Sequence, residues 1–278
     1  MILEAVKIEQ SLFALPFAYI GMMLAAQGLP PLMPFIWITV AMVGARNAGM
    51  AFNRVLDRKM DKLNPRTANR HIPLGLLKPH ELNILGMIGL GALFLAAAQL
   101  NSLSLYLAPL AAIAVIGYSL VKRLSWLTSI SLGLTLAIAP VGGWIGVTGS
   151  LSWEPLLLAA IVATFASGFD IFNTCPDMKF DQAQGIHSIP ARFGLTVAFR
   201  MARILHILTS TSILALGLLL DLAWPFYMGW ATATALLIYE HWVLSPNDMS
   251  KLGFVFSRVN AAISSAVFVG VFTALMIQ

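Results

Sequence analysis

A chain of 278 residues that is 59% hydrophobic and 10% charged, with a mean hydropathy of +0.83, is far more apolar than an average soluble domain. That composition excludes a soluble globular enzyme and indicates a polytopic membrane protein. The formal net charge is +5, but no basic helix or aromatic-basic module accompanies it, which excludes nucleic acid as a partner.

The opening MILEAVKIEQ holds Glu4, Lys7 and Glu9 and lacks the basic region and small-residue cleavage site of a secretory signal, so the first helix is expected to belong to the mature chain. Spans need about 20 mostly apolar residues. Nine such stretches are expected, at about 11–29, 32–52, 82–100, 103–121, 125–148, 155–172, 204–222, 224–244 and 254–277. All should be helices, because backbone groups in hydrocarbon must bond within their own segment. The expected fold class is therefore all-α, a bundle of nine transmembrane helices forming a single domain over 1–278.

Apart from Lys7 and Arg46, every Lys and Arg lies in or beside the connections after the second, fourth, sixth and eighth spans. The opposite connections, near Leu29–Pro31, Asn101–Ser102, Gly149–Glu154 and Asp221–Ala223, have none. The positive-inside rule then places the N-terminus in the cytoplasm and, with nine spans, the C-terminus outside. A basic surface on one face suits anionic headgroups or a phosphorylated substrate.

Two of these connections, 53–81 and 173–200, exceed the usual length of bundle loops and are expected to act as cytoplasmic caps. They resemble each other: Asp57-x3-Asp61 precedes Arg-His-Ile-Pro at 70–73, and Asp177-x3-Asp181 precedes His-Ser-Ile-Pro at 187–190. Such parallel repeats often place a binding site at their interface. On a helix, Asn53, Asp57 and Asp61 share an arc of about 80°, and Asp170, Asp177 and Asp181 would share about 40° if no break intervened. Pro176 predicts a break, with one helix ending near Asp170 and a short one beginning at Pro176.

Two facing acidic stripes repel unless something positive lies between them. A hard divalent cation such as magnesium fits, since it takes oxygen ligands and is usually held by one or two carboxylates together with substrate phosphates. The same connections carry Arg54, Arg58, Lys62, Arg66, Arg70, Lys122 and Arg123. An interior of acids ringed by cations suits a metal-bound diphosphate. Asp170 weighs heavily because ionisable groups inside spans are costly and usually functional.

Arg46, seven residues before Asn53 and on nearly the same face, either pairs with an acid on a neighbouring span or clamps a carboxylate or phosphate. Tyr118 and Lys122 project from one helix face, with Lys122 either snorkelling or binding ligand. His71 and His187 are read as hydrogen-bonded loop residues, Gly142-x3-Gly146 as a close helix contact, and the single Cys175 as a small packing residue.

These residues resemble the UbiA superfamily of intramembrane prenyltransferases over essentially the whole chain. The resemblance rests on ARNAGMAFNRVLDRKMD (45–61), PRTANRHIPLG (65–75), YSLVKR (118–123) and DIFNTCPDMKFDQAQGIHSIPARFG (170–194), in that order and spacing. KIEQSLFALPFAYIG (7–21) resembles the bacterial branch that prenylates 4-hydroxybenzoate or a dihydroxynaphthoate in ubiquinone and menaquinone biosynthesis. The chain departs at Arg54, where many relatives carry an acid, and at Asn173, where relatives often carry Tyr.

The resemblance implies a bundle around a central cavity, open sideways to lipid, in the bacterial inner membrane. It implies that Asn53, Asp57, Asp61, Asp170, Asp177 and Asp181 hold Mg2+ on a polyprenyl diphosphate, with Asp57, Asp61, Asp177 and Asp181 as the catalytic carboxylates. Arg66, Arg70 and Lys122 match diphosphate-binding positions, and Arg46 matches one facing the aromatic acid acceptor. Two rivals remain: a CDP-alcohol phosphotransferase, echoed by Ala45, Arg46, Gly49, Asp57 and Asp61, and a non-enzymatic transporter using intramembrane carboxylates.

Overall fold

The structure, a computed structural model, describes residues 1–6 and 11–278; Lys7 and Glu9 lie outside the described residues. The long helices are α1 (Ser11–Ala26), α2 (Leu32–Leu63), α3 (Pro79–Leu100), α4 (Ser102–Val121), α5 (Thr128–Thr148) and α6 (Trp153–Thr174). A 3-10 turn, Cys175–Asp177, leads into the short α7 (Met178–Gln184), followed by α8 (Ile189–Leu219), α9 (Trp224–Val243) and α10 (Asn260–Ile277). Among the described residues, seven helices are long and apolar enough to cross a membrane. The shorter apolar helix around α1 and the α9 helix, which carries Tyr227, Trp230, Glu240 and His241, are not among the seven.

The helices close a ring. Neighbours in the chain pack in sequence from α1 to α6, α6 packs on α8, α8 on α9, α9 on α10, and α10 returns to α1. α1 also packs against α5. With lipid as the alternative solvent, burial of apolar surface cannot drive this packing, so close van der Waals approach must. At the α1–α5 crossing a Cβ on Gly143 would lie 2.2 Å from the Ala18 carbonyl oxygen. The expected Gly142-x3-Gly146 contact is thus shifted by one residue: Gly143 and Gly146 meet neighbours, while Gly142 has open space and faces the interior.

Two helices run further than their apolar content predicts. α2 continues from the expected end at 52 through Leu63, and α8 begins at Ile189 rather than near 204. Both extensions are amphipathic, with charged residues on one face and packed residues such as Val55 or Phe199 on the other. Gly194, at φ 79°, bends α8 after its first turns, a conformation that only glycine adopts freely. The expected long loops therefore shrink to 64–78 and 175–188.

Where α6 was expected to end near Asp170 it continues one turn to Thr174, and Pro176 then starts the 3-10 turn as its missing N–H permits. Cys175 is buried and its thiol faces the Ile171 carbonyl at 3.2 Å, as a packing residue would. Between α8 and α9 the fold buries a polar cluster with no counterpart in the sequence reading: His206 Nδ1 is 3.1 Å from His241 Nε2 and 3.6 Å from a carboxylate oxygen of the fully buried Glu240.

Candidate active site

Continuous helix through Leu63 places Arg46, Asn53, Asp57 and Asp61 on one side of α2. Asn64 ends the helix in an extended conformation, and its Oδ1 accepts the Arg66 backbone N–H at 2.9 Å. This Asx turn throws the chain back over the helix end. Thr67 then donates to the Asp61 carbonyl at 3.1 Å, satisfying a terminal backbone acceptor. Arg70 consequently reaches Asp61, with Nη1 2.7 and 2.8 Å from the two carboxylate oxygens.

Asp57, 2% exposed, lies one turn inside. Its Oδ2 accepts from Asn53 Nδ2 at 3.0 Å and from Lys122 Nζ at 2.5 Å, while Arg123 stands 3.9 Å from Oδ1. Asn53 also donates to Ser119 Oγ of α4 at 3.0 Å, so one amide ties the two helices together. Asp57 Oδ1 is buried and has no hydrogen-bond partner.

The second acidic segment comes from the α6–α7–α8 corner. Asp170 sits in the last turn of α6, 8% exposed, with Ser129 and Asn173 within hydrogen-bonding reach. Asp177, at the 3-10 turn, takes a bidentate ion pair from Arg66 and a further hydrogen bond of 2.9 Å from Asn64 Nδ2. Asp181 Oδ2 accepts from Ser188 Oγ at 2.7 Å, and Ser188 also caps the start of α8. The His187 backbone N–H donates to the Lys122 carbonyl at 2.8 Å, joining this corner to the end of α4.

All ten residues named from the sequence, Arg46, Asn53, Asp57, Asp61, Arg66, Arg70, Lys122, Asp170, Asp177 and Asp181, line one cavity of about 1030 Å³, together with Tyr118. The polar groups gather at the end that carries the 64–78 and 175–188 connections, and below them the wall is apolar, with Met42, Val115, Phe165 and Leu136. Leu110 of α4 and Leu134 of α5 line the same cavity yet are 63% and 59% exposed, so its flank is open between these helices.

Within the chain the charge of the two acidic stripes is partly balanced, because Arg66, Arg70 and Lys122 pair with Asp177, Asp61 and Asp57. Among the described residues no group of three or more His, Cys, Asp or Glu is arranged to hold a metal by itself. The donor set still fits magnesium, which is typically held by only one or two carboxylates and otherwise by waters and substrate phosphates. Asp57 Oδ1, buried and without a hydrogen bond, is the sort of hard oxygen such an ion takes.

Several contributors escaped the sequence reading. Asn64, Ser119 and Ser188 each hold a key side chain in place; of these, Asn64 was legible as the Asn-Pro stop signal that ends α2. Arg54, the departure from the usual pattern, is only 7% exposed and lines the same cavity, with Nη1 3.5 Å from Asn53 Oδ1. Its Nε donates to the Ala5 carbonyl at 3.1 Å, pinning the N-terminal segment. His71 stands 3.4 Å from Glu4 of that segment, whereas His187 lines the cavity.

Both the sequence and the fold have known relatives. The model of the UbiA prenyltransferase family matches residues 14–270. A 4-hydroxybenzoate octaprenyltransferase of Aliivibrio salmonicida (strain LFI1238) is 27% identical over 254 residues, 87% of this chain and 89% of the relative. The apo structure of a UbiA homolog from Aeropyrum pernix K1 superposes with a TM-score of 0.84 at 29% identity, covering 97% of this chain and 98% of that one. A UbiA homolog from Archaeoglobus fulgidus bound to DMAPP and Mg2+ shares the fold, with a TM-score of 0.70 at 17% identity over 96% of this chain and 98% of that one.

Proposed function

The chain belongs to the UbiA prenyltransferase family, and on that premise we propose that it transfers a polyprenyl group from an allylic prenyl diphosphate to a ring carbon of an aromatic acid. The acceptor is 4-hydroxybenzoate or a dihydroxynaphthoate, and the product a precursor of ubiquinone or menaquinone. The observation that carries this reading is the juxtaposition of Arg66, Arg70 and Lys122, each bound to a carboxylate, at the polar end of a large apolar cavity. Names of the relatives support it: the bacterial ones are 4-hydroxybenzoate octaprenyltransferases, and an archaeal neighbour was solved with DMAPP and Mg2+.

In this reading Asn53, Asp57, Asp61, Asp170, Asp177 and Asp181 would hold magnesium, which supplies Lewis-acid neutralisation of the leaving diphosphate. Arg66, Arg70 and Lys122 are already positioned at the polar end. On arrival of the donor they exchange carboxylate for phosphate oxygens and stabilise the charge that grows as the allylic C–O bond breaks. Such preorganised stabilisation is usually the largest single contribution to catalysis. The apolar wall below excludes water from the carbocation. Its electrophilic carbon is captured by the acceptor ring, a C–C bond forms, and loss of the ring proton restores aromaticity. Arg46, deeper on α2, holds the acceptor's carboxylate.

We further assign nine spans, adding α1 and α9 to the seven long apolar helices, in a bacterial inner membrane. The two connections at the polar end cap the site from the cytoplasm, and the C-terminus lies outside. The test is to incubate membranes containing the protein with labelled prenyl diphosphate, Mg2+ and a panel of aromatic acids, and to identify products by mass. A prenylated hydroxybenzoate or naphthoate is expected; absence of product with every acceptor would favour a carboxylate-based transporter.

A further inference from the structure

α10 is entered through a π-turn, Val255–Val259. π-turns are rare, and where they interrupt an α-helix they frequently mark functional sites, because the inserted residue re-aims the side chains around it. Here Asn260, next after the turn, is 4% exposed and lines the cavity. Its Nδ2 faces the Phe256 carbonyl at 3.4 Å. The other end, Oδ1, is buried without any hydrogen-bond partner. A buried carbonyl oxygen left unpaired is costly, so the site is built for a donor that the chain does not supply.

The depth of Asn260 limits what that donor can be. The Phe256 ring packs edge-on against Phe169 at 5.7 Å, beside Asp170. Asn260 is one turn further along, about 6 Å deeper at the helical rise. It therefore stands below the diphosphate-binding end, where Phe165 and Phe169 make the wall apolar. Arg46 is likewise displaced from the acids, seven residues or about 10 Å below Asn53 on α2. A polyprenyl tail has no hydrogen to donate and a diphosphate has acceptors only. Of the two substrates, the hydroxylated aromatic ring alone offers an O–H.

We propose that Asn260 Oδ1 accepts the hydrogen bond of the acceptor's ring hydroxyl, making Asn260 a determinant of acceptor specificity. The inference rests on the prenyltransferase reading above and deepens it. Arg46 would take the carboxylate of the acid and Asn260 the hydroxyl, so that two polar groups fix an otherwise featureless ring in an apolar cavity. Accepting that bond increases the electron density that the hydroxyl oxygen feeds into the ring, and it turns the carbon beside the hydroxyl toward the allylic carbon. No bond to Asn260 forms or breaks.

The experiment uses the purified full-length protein with Mg2+ and prenyl diphosphate. KM is measured for 4-hydroxybenzoate and for the diphosphate, and inhibition constants for benzoate and 4-methoxybenzoate, in wild type, Asn260→Leu and Asn260→Asp. Wild type should favour 4-hydroxybenzoate over both analogues by about tenfold or more, since a site built to bond a hydroxyl rejects ligands that lack one. Asn260→Leu should raise the KM for 4-hydroxybenzoate by about tenfold, leave that for the diphosphate within about twofold, and erase the preference. Asn260→Asp, which keeps an acceptor oxygen, should retain it. An active Asn260→Leu variant with its preference intact overturns the inference alone and assigns Oδ1 to a buried water. So does a wild type that binds benzoate as tightly as 4-hydroxybenzoate, a result that needs no variant to fold. A wild type that prenylates no aromatic acid overturns the functional reading and this inference with it.

Discussion

The two acid-bearing segments look alike in sequence and are held in different ways. Asn53, Asp57 and Asp61 lie on one unbroken helix and are secured by close neighbours: Arg70 from the following turn, and Ser119 and Lys122 from α4. Asp170, Asp177 and Asp181 are spread over a helix end, a 3-10 turn and a short helix. Asp177 depends on Asn64 and Arg66 from the first segment, whereas Asp181 has a serine. The first segment is a single helical rail and the second a three-piece flap tied to it through Asn64 and Arg66. The Asp177–Arg66 pair is partly open to solvent, with Arg66 40% exposed against 12% for Asp177.

Four measurements strain that contrast. Chelation of divalent cations should have the largest effect, reducing prenyl transfer to background, with Mg2+ restoring it; activity that persists in excess chelator would exclude the metal from both segments. Next, Asp57→Asn removes the charge most deeply set in the rail and should lower kcat by about 10²–10³-fold, the scale of losing one preorganised charge, with the unfolding temperature of the purified protein as the control. Arg66→Gln releases the flap. It should raise the KM for the prenyl diphosphate by about tenfold with a smaller change in kcat, as expected for a charge-assisted pair at partial exposure; an unchanged KM would detach Arg66 from the diphosphate. Ser188→Ala deletes one hydrogen bond to Asp181 and should cost about two- to fivefold in kcat/KM. If Ser188→Ala proved as damaging as Asp57→Asn, rail and flap would not differ.

Much of this site is legible in the sequence because charge is so scarce. In a chain with only 10% charged residues, the repeated Asp-x3-Asp spacing and an Arg46 within an apolar span stand out against their background. Charge also misleads at boundaries. The run Asn53–Lys62 reads as a loop by hydropathy, yet its residues are compatible with helix and α2 simply continues out of the apolar region. The expected count of spans met a related difficulty, since α9 mixes aromatic, threonine and acidic residues and only its packing between α8 and α10 shows its place in the ring.

Contacts between distant segments are not encoded locally at all. Nothing around Arg66 specifies Asp177 as its partner, and nothing around Glu240 announces that His206 will lie beside it. The same holds for Asn260, a single amide in an apolar helix whose significance depends on which way the π-turn aims it. The cation–carboxylate pairs likewise depend on distant geometry: Arg66 and Arg70 follow a turn opened by Asn64, and Lys122 arrives from the end of α4.

The exposed flank at Leu110 and Leu134 has a consequence for how the reaction runs forward. In the proposed reaction the two products differ in solubility: diphosphate suits the polar end of the cavity, while the prenylated ring, which keeps its carboxylate but gains a long apolar chain, suits the flank. Neither product would then have to retrace the other's route, and the two would leave toward different solvents.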